Sequence, residues 1–258
     1  MFRYAIARRP GQSMINGITQ TPELGKVDID LALKQYDQYL EALVYCGLDV
    51  TLLEPNEEFP DSCFVEDTAL CTPNGVIISR PGAESRRGEA QLPDLQTAIR
   101  KHYDEDKIRS IVEPGLVEPG DIVMADGHFF IGISKRTNQA GADQVIKYLE
   151  EFGLTGETIE VVNLLHLKGD MTYLDNNTMV VSEYYKDRAE LSNYKKIVVP
   201  ADEAYAANTL WINGKVLLPE GYPKMASLIR EASYEVVTVG MSEFMKITGS
   251  LTCLSLRF

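Results

Sequence analysis

The sequence predicts an α/β propeller, and three observations carry the prediction: one type of hairpin recurs along the chain, it returns at intervals of about 50 residues, and helical stretches fall between its copies. The hairpin is a short apolar strand, a tight Asn, Asp or Gly turn, and a second apolar strand. It reads FVEDTALCTPNGVIISR, then DIVMADGHFFIGIS, then MTYLDNNTMVVSE, then NTLWINGKVLLPE. The pairs Asn74-Gly75, Asp126-Gly127 and Asn213-Gly214 are expected to supply the positive φ angles of a two-residue hairpin, and Asn176-Asn177 to do so less readily. Turns at Gly75, Gly127 and Asn177 are evenly spaced, and the step to Gly214 is shorter. Between them LPDLQTAIRKHY, GADQVIKYLEEFG and YPKMASLIREA return an apolar residue every third or fourth position, which predicts amphipathic helices. A fifth unit assembles from the two ends: strand FRYAIAR, helix VDIDLALKQYDQYLEALVYCG, strand LDVTLLE and the terminal strand LTCLSLRF. Ends that meet close a ring, in which each unit buries its apolar face only against its neighbours. An open α/β sandwich would need parallel βαβ units, whereas the hairpins indicate antiparallel pairs. No linker interrupts the pattern, so residues 1–258 are read as a single α/β-propeller domain.

Composition narrows the function. At 258 residues and 45% hydrophobic, the chain can bury a sizeable core. Lys+Arg of 25 against Asp+Glu of 38 gives a formal charge of -13, which disfavours nucleic acid and anionic membranes as partners and leaves a cationic small molecule acceptable. The opening MFRYAIARRP places arginines and a proline where a signal peptide needs its apolar centre, so the protein is expected to be soluble and cytoplasmic. Cys46, Cys63, Cys71 and Cys253 are too far apart for a Cys-x-x-Cys motif and read as reduced thiols. Cys46, in EALVYCGLDV, reads as a small buried apolar residue.

Candidate chemistry is confined to few residues. Of the histidines, His102 in KHYDED and His128 after the Asp126-Gly127 turn read as surface residues, while His166 in NLLHLKGD ends an apolar stretch where strand ends deliver side chains to a site. Cys253 follows small residues in ITGSLTCLSLRF, on a terminal strand that backbone and substrate can approach closely. A cysteine with a distant histidine is a nucleophile and base pairing that is weak evidence alone. Acidic residues add to it. PDSCFVEDTAL places Asp61, Glu66 and Asp67 in an apolar stretch, and EPGLVEPGDIV brings Glu118 and Asp121; charge there is costly unless paired, and a planar guanidinium is a natural counter-ion. Asp121 and Glu113 read as solvated turn carboxylates. RPGAESRRGE and SKRTNQAG carry Arg80, Arg86, Arg87, Lys135 and Arg136, which read as surface residues or as clamps for a substrate carboxylate.

With DSCFVED, RPGAESRRGE, VEPGDI, GISKRTN, LLHLK and LTCLSLRF in order over the full length, the chain resembles the dimethylarginine dimethylaminohydrolases of bacterial type, within the guanidine-modifying superfamily. The resemblance implies a five-bladed ββαβ propeller (the pentein fold, with pseudo-fivefold repeat), a central site, and neither metal nor organic cofactor. It implies hydrolysis of Nω-methylated L-arginine to L-citrulline and a methylamine through a covalent thiouronium on Cys253. It further implies His166 as acid and base, Glu118 with Asp67 holding the guanidinium, and Glu66 assisting beside them. Arg86 and Arg136 match the positions that bind the α-carboxylate. Asp61 and the backbone of Ile18 match those near the α-amine, Ile247 joins the substrate-binding set, and the loop GQSMINGITQ matches a lid. Edge packing suggests a homodimer.

The chain departs from the family pattern at Thr248, where an aspartate is common, at Gly249-Ser250, and at Gly169-Asp170, which adds a charge near the site. The departures leave sibling reactions open: arginine deimination, or hydrolysis of citrulline or another guanidino or ureido acid. A non-catalytic sensor of a cationic amino acid is the alternative from a different class.

Overall fold

A computed structural model describes residues 1–162 and 165–258. After strand β1 (Tyr4–Arg8), helix α1 (Ile29–Tyr45) returns the chain to β2 (Asp49–Leu53), which lies parallel to β1. The same order then repeats. Strands β3 (Ala69–Thr72) and β4 (Gly75–Ile78) form an antiparallel hairpin, and α2 (Pro93–Arg100) leads to β5 (Ile108–Ser110), parallel to β4. Next come β6 (Ile122–Ala125), β7 (His128–Ile133), α3 (Gln139–Glu151) and β8 (Thr155–Glu160). Strands β9 (Met171–Tyr173), β10 (Thr178–Val181) and β11 (Lys195–Val198) follow, then β12 (Leu210–Ile212), β13 (Lys215–Pro219), α4 (Pro223–Glu231) and β14 (Glu235–Val239). A short α5 (Ser242–Met245) precedes β15 (Ser255–Arg257), which pairs antiparallel with β1 and completes the first sheet. The described residues thus hold five three-stranded sheets of one topology, as the fivefold repeat requires. The short step before Gly214 has a physical counterpart, since the link from β10 to β11 has room only for a 3-10 turn, Ala189–Leu191.

The turns follow the sequence with one correction. Asp126-Gly127, Asn213-Gly214 and both residues of Asn176-Asn177 take positive φ, but neither Asn74 nor Gly75 does. Pro73 is the reason: its ring fixes φ negative, so Pro73-Asn74 forms the turn, with Thr72 opposite Gly75 and the Thr72 hydroxyl accepting from both Asn74 N and Gly75 N. Glycine at 75 is required by packing instead, because a Cβ there would lie 2.4 Å from the Phe152 ring.

Helix starts are set locally. Asp28 caps α1 by accepting from Leu31 N, Asn138 caps α3 by accepting from Gly141 N, and α2 and α4 open on Pro93 and Pro223. Alternation along the strands divides the core into five clusters, each shared by two sheets. Val76 and Ile78 pack with Ile6 of β1, while Ile77 between them packs with Ile122 and Ile131 of the next sheet. Val123 of β6 packs with Met171 of β9, and Val180 of β10 with Val216 of β13. Leu217 of β13 packs with Ala5, Ala7 and helix α1, which joins the last sheet to the first. No helix among the described residues is long and apolar enough to cross a membrane.

Candidate active site

Each sheet is entered through a 3-10 turn just before its first strand. Val65–Thr68 precedes β3, Pro119–Asp121 precedes β6, Leu167–Gly169 precedes β9, Ala201–Ala207 precedes β12 and Leu251–Leu254 precedes β15. The candidate residues lie in or beside four of these turns: Glu66 and Asp67, Glu118, His166, and Cys253. A turn places a polar side chain at the end of a sheet, while the strand behind it keeps the apolar alternation.

Three of these residues meet directly. The Asp67 and Glu118 carboxylates and the His166 imidazole each present an atom within 4.8 Å of the other two, the one such group among the described residues with a metal-like spacing. Both carboxylates already hold guanidinium groups, from Arg86 and Arg136, so the trio is matched by planar cations. His166 Nε2 lies 2.8 Å from Glu118 Oε2. Glu118 is fully buried and also accepts from Ala83 N at 2.8 Å and Arg136 Nη1 at 3.0 Å. Asp67 accepts from Gly120 N at 3.0 Å and Arg86 Nη1 at 2.6 Å. Gly120 lets the ring approach, since a Cβ there would stand 2.6 Å from His166 Nδ1.

Charge within the group is set by burial against partners. Burial alone would depress His166, but Asp67, Glu118 and Asp121 more than offset it and raise the imidazole to about 9. Burial likewise works against the Glu118 charge, yet His166, Arg86 and Arg136 hold it well below the usual carboxylate range. The Cys253 thiol is buried, and burial together with the Glu66 and Asp67 charges pushes it up to about 12. It is a neutral thiol at neutral pH, and a cation beside it would favour the thiolate.

The remaining candidates divide. Asp61 is buried and accepts from Ile18 N at 2.9 Å, and Ile247 packs close to Gly17, so the expected lid loop lies over both. The loop is tied at Gln12 N and Ser13 N to Glu57, at Thr19 to Lys246 O, and at Gln20 N to Thr248 Oγ. Arg86 is buried rather than on the surface: Glu89 and Phe64 O fix its guanidinium, and although burial opposes its charge, Glu89 and Asp67 hold it firmly protonated. Arg80 instead pairs with Glu113, and Arg87 with Glu84. Glu66 is buried and engaged by Lys168 at 2.7 Å and Arg257 at 3.1 Å. Those three residues also line a cavity of about 580 Å³ behind the site, whose lining includes none of Cys253, His166, Asp67 and Glu118.

One reading is corrected. Asp121 is not a solvated turn carboxylate but a fully buried one, accepting from Leu167 N at 3.1 Å and Ser134 Oγ at 2.7 Å, and burial pushes its carboxyl up to about 6. It holds the turn that follows His166. Glu89, Lys168 and Arg257 were not singled out from the sequence; the i,i+3 spacing of Glu89 from Arg86 and the position of Lys168 two residues after His166 were the available signals. Asp170 is buried, with burial raising its carboxyl, and one of its oxygens has no partner among the described residues.

Residues 11–186 match the family model described as N,N dimethylarginine dimethylhydrolase, eukaryotic. The N(G),N(G)-dimethylarginine dimethylaminohydrolase of Pseudomonas aeruginosa is 44% identical over 258 residues, 100% of both chains. The chain belongs to the dimethylarginine dimethylaminohydrolase family. A second family member, from Streptomyces coelicolor, is 33% identical and covers 98% of this chain and 96% of its own. Among solved structures, a mutant of the Pseudomonas aeruginosa dimethylarginine dimethylaminohydrolase complexed with citrulline superposes with a TM-score of 0.97 at 43% identity, covering 100% of both chains. The N-terminal domain of a cyanobacterial arginine dihydrolase, at 18% identity and a TM-score of 0.87 over 99% and 97% of the chains, shares the fold.

Proposed function

We propose that this dimethylarginine dimethylaminohydrolase family member hydrolyses Nω-methylated L-arginine to L-citrulline and dimethylamine or methylamine. The observation that carries the reading is the group of buried Asp67 and Glu118 with part-buried His166, whose carboxylates bind guanidinium groups and whose neighbouring unit supplies a thiol. A substrate guanidinium between Asp67 and Glu118 replaces the arginines there, freeing Arg86 and Arg136 for the α-carboxylate. Asp61 and the Ile18 carbonyl receive the α-amine, Glu66 supports the wall with Lys168 and Arg257, and Ile247 and the lid loop cover the chain of the substrate.

Chemistry follows from the charges. The bound cation favours loss of the Cys253 proton to solvent, which later protonates the released amine, and the thiolate attacks the guanidinium carbon. His166, protonated at neutral pH because its imidazole is raised to about 9, donates to the departing amine. A thiouronium remains on Cys253. The neutral imidazole then takes a proton from water, whose oxygen attacks the same carbon and releases citrulline and the thiol. Net, one water is consumed and one amine leaves. The residues alone suffice for these steps, and we assign no metal or organic cofactor.

The five clusters shared between neighbouring sheets support a closed five-bladed ββαβ propeller, the pentein fold, formed by residues 1–258 as one domain. Four free thiols suit the reducing cytoplasm, and the sheet edges leave backbone groups for a homodimer. Incubating the protein with asymmetric dimethylarginine, monomethylarginine, arginine and citrulline tests the reading: citrulline and the methylamines are expected from the first two. Turnover of arginine with neither methylated form would overturn it, as would a Cys253→Ser variant with parental activity. An inactive parent that still binds arginine would point to a sensor.

A further inference from the structure

Four of the five 3-10 turns that enter the sheets carry a residue assigned above, and the fifth, Ala201–Ala207, carries none. Asn208 directly follows that turn and is buried. Its amide nitrogen donates to Lys168 O at 3.0 Å and to Thr252 Oγ at 3.0 Å, and its oxygen accepts from Thr252 N at 3.1 Å. One side chain therefore spans the turn after His166 and the turn holding Cys253. Its own segment is fixed to β9, since the Thr172 hydroxyl bonds Ala207 O and the Thr209 hydroxyl. We propose that Asn208 is a positioning residue that sets the Cys253 thiol against the His166 imidazole by joining their two turns.

The hydrogen-bond inventory argues for an amide at this position. Lys168 O needs a donor and Thr252 N needs an acceptor, and both are offered at the spacing of one carboxamide. An alanine supplies neither and leaves Thr252 N without this partner in a buried site. An aspartate meets Thr252 N in either protonation state, but meets Lys168 O only when protonated. The inference rests on the proposed chemistry for the meaning of the thiol and imidazole, but not for the contacts.

The test uses Asn208→Ala and Asn208→Asp, with circular dichroism and thermal unfolding to establish folding. In Asn208→Ala, kcat is expected to fall on the order of 100-fold, the effect of a displacement of about 1 Å, with little change in KM. Asn208→Asp is expected to recover activity relative to the parent as the pH is lowered and its carboxyl gains the proton that Lys168 O requires. Mapping iodoacetamide alkylation by peptide mass across pH adds a readout independent of substrate. Cys253 should become reactive at lower pH in Asn208→Ala than in the parent, as the thiol leaves the carboxylates, while the partly exposed Cys71 serves as the unchanged internal reference. A folded Asn208→Ala with parental kcat and a parental Cys253 alkylation profile would overturn the proposal. Should the alanine variant not fold, an Asn208→Asp rate that tracks the parent at every pH would do so. A parent that turns over no guanidino acid would defeat the proposed function, and the alkylation profile would still decide this one.

Discussion

Replacing Glu118 by glutamine keeps the shape of the side chain and removes its charge. The native carboxylate is acceptor-only and serves Ala83 N, Arg136 and His166 together. If the glutamine oxygen faces Ala83 N and Arg136, its NH₂ faces His166 Nε2, which must then accept and so be neutral. The variant thus selects the unprotonated imidazole. In the parent, the imidazole is raised from 6.5 to about 9, so it contributes stability that is fully present below pH 6.5 and is lost as pH rises through about 9. At 1.36 kcal/mol per pH unit the contribution amounts to about 3 kcal/mol. Asp67 and Asp121 share in it, so Glu118→Gln keeps part and its stability curve flattens over this range. Urea unfolding at pH 6.5 and above pH 9 measures the slope, and with three histidines in the chain the His166 imidazole can be followed directly by proton NMR. Activity should fall by about 100-fold or more at neutral pH, since the proposed general acid, His166, has lost its proton. If His166 titrates in Glu118→Gln at the same pH as in the parent, the reasoning is refuted.

Four further substitutions probe the frame of the site and the turns of the fold. Asp121→Asn should lower stability by about 1–3 kcal/mol, because Leu167 N and the Ser134 hydroxyl both donate to the carboxylate, and Ser134 Oγ already accepts from Arg136 N and Thr137 N; an unchanged urea midpoint would count against it. Thr248→Gly relieves a β-branched residue at φ +59° but removes the acceptor for Gln20 N, so amide exchange at Gln20 should accelerate several-fold, by about 1 kcal/mol, and unaltered exchange would show that the loop is held elsewhere. Gly75→Ala should cost about 1–3 kcal/mol by driving a Cβ into Phe152, whereas Gly214→Ala meets nothing within 4 Å and should cost only the strain of a φ of +90°, about 1–2 kcal/mol; thermal unfolding of the two separates overpacking from backbone strain.

What was legible in the sequence was what is decided locally. Asp126-Gly127 and Asn213-Gly214 declare their hairpins because a two-residue turn needs those dihedrals wherever it occurs. The Asn74-Gly75 pair misled because one residue earlier Pro73 dictates a different turn, and the glycine there answers to Phe152, far along the chain. The same division runs through the site. Cys253, His166, Asp67 and Glu118 stand out as candidates from motifs in family order, but the state of each depends on residues in other segments. Arg86 reads from sequence as either a surface residue or a carboxylate clamp, and Glu89 and Asp67 enclose it. Asp121 looked solvated because its partners, Leu167 N and Ser134, belong to a later turn and a neighbouring strand end. Lys168 and Arg257 reach Glu66 from 102 and 191 residues further along the chain, so no window of either segment announces the pairing.

The repeat also explains how a site this charged coexists with an apolar core. In each sheet the strands alternate between two clusters, and their side chains are committed to packing. The 3-10 turn before the first strand is free of that alternation, and in or beside it four of the five units place a candidate residue. Because the turns are equivalent positions of one repeat, the residues converge although they are far apart in sequence, and none must interrupt a strand to do so. The charges then neutralise one another both within a unit, Glu118 with Arg136 and Asp67 with Arg86, and across units, Glu118 with His166 and Glu66 with Lys168 and Arg257. Truncating one partner of such a pair leaves a buried charge without its counter-ion, a loss of about 3–5 kcal/mol, whereas a strand substitution within one cluster is felt mainly by the two sheets that share it. Stability and chemistry are thus coupled at the turns and largely separable along the strands.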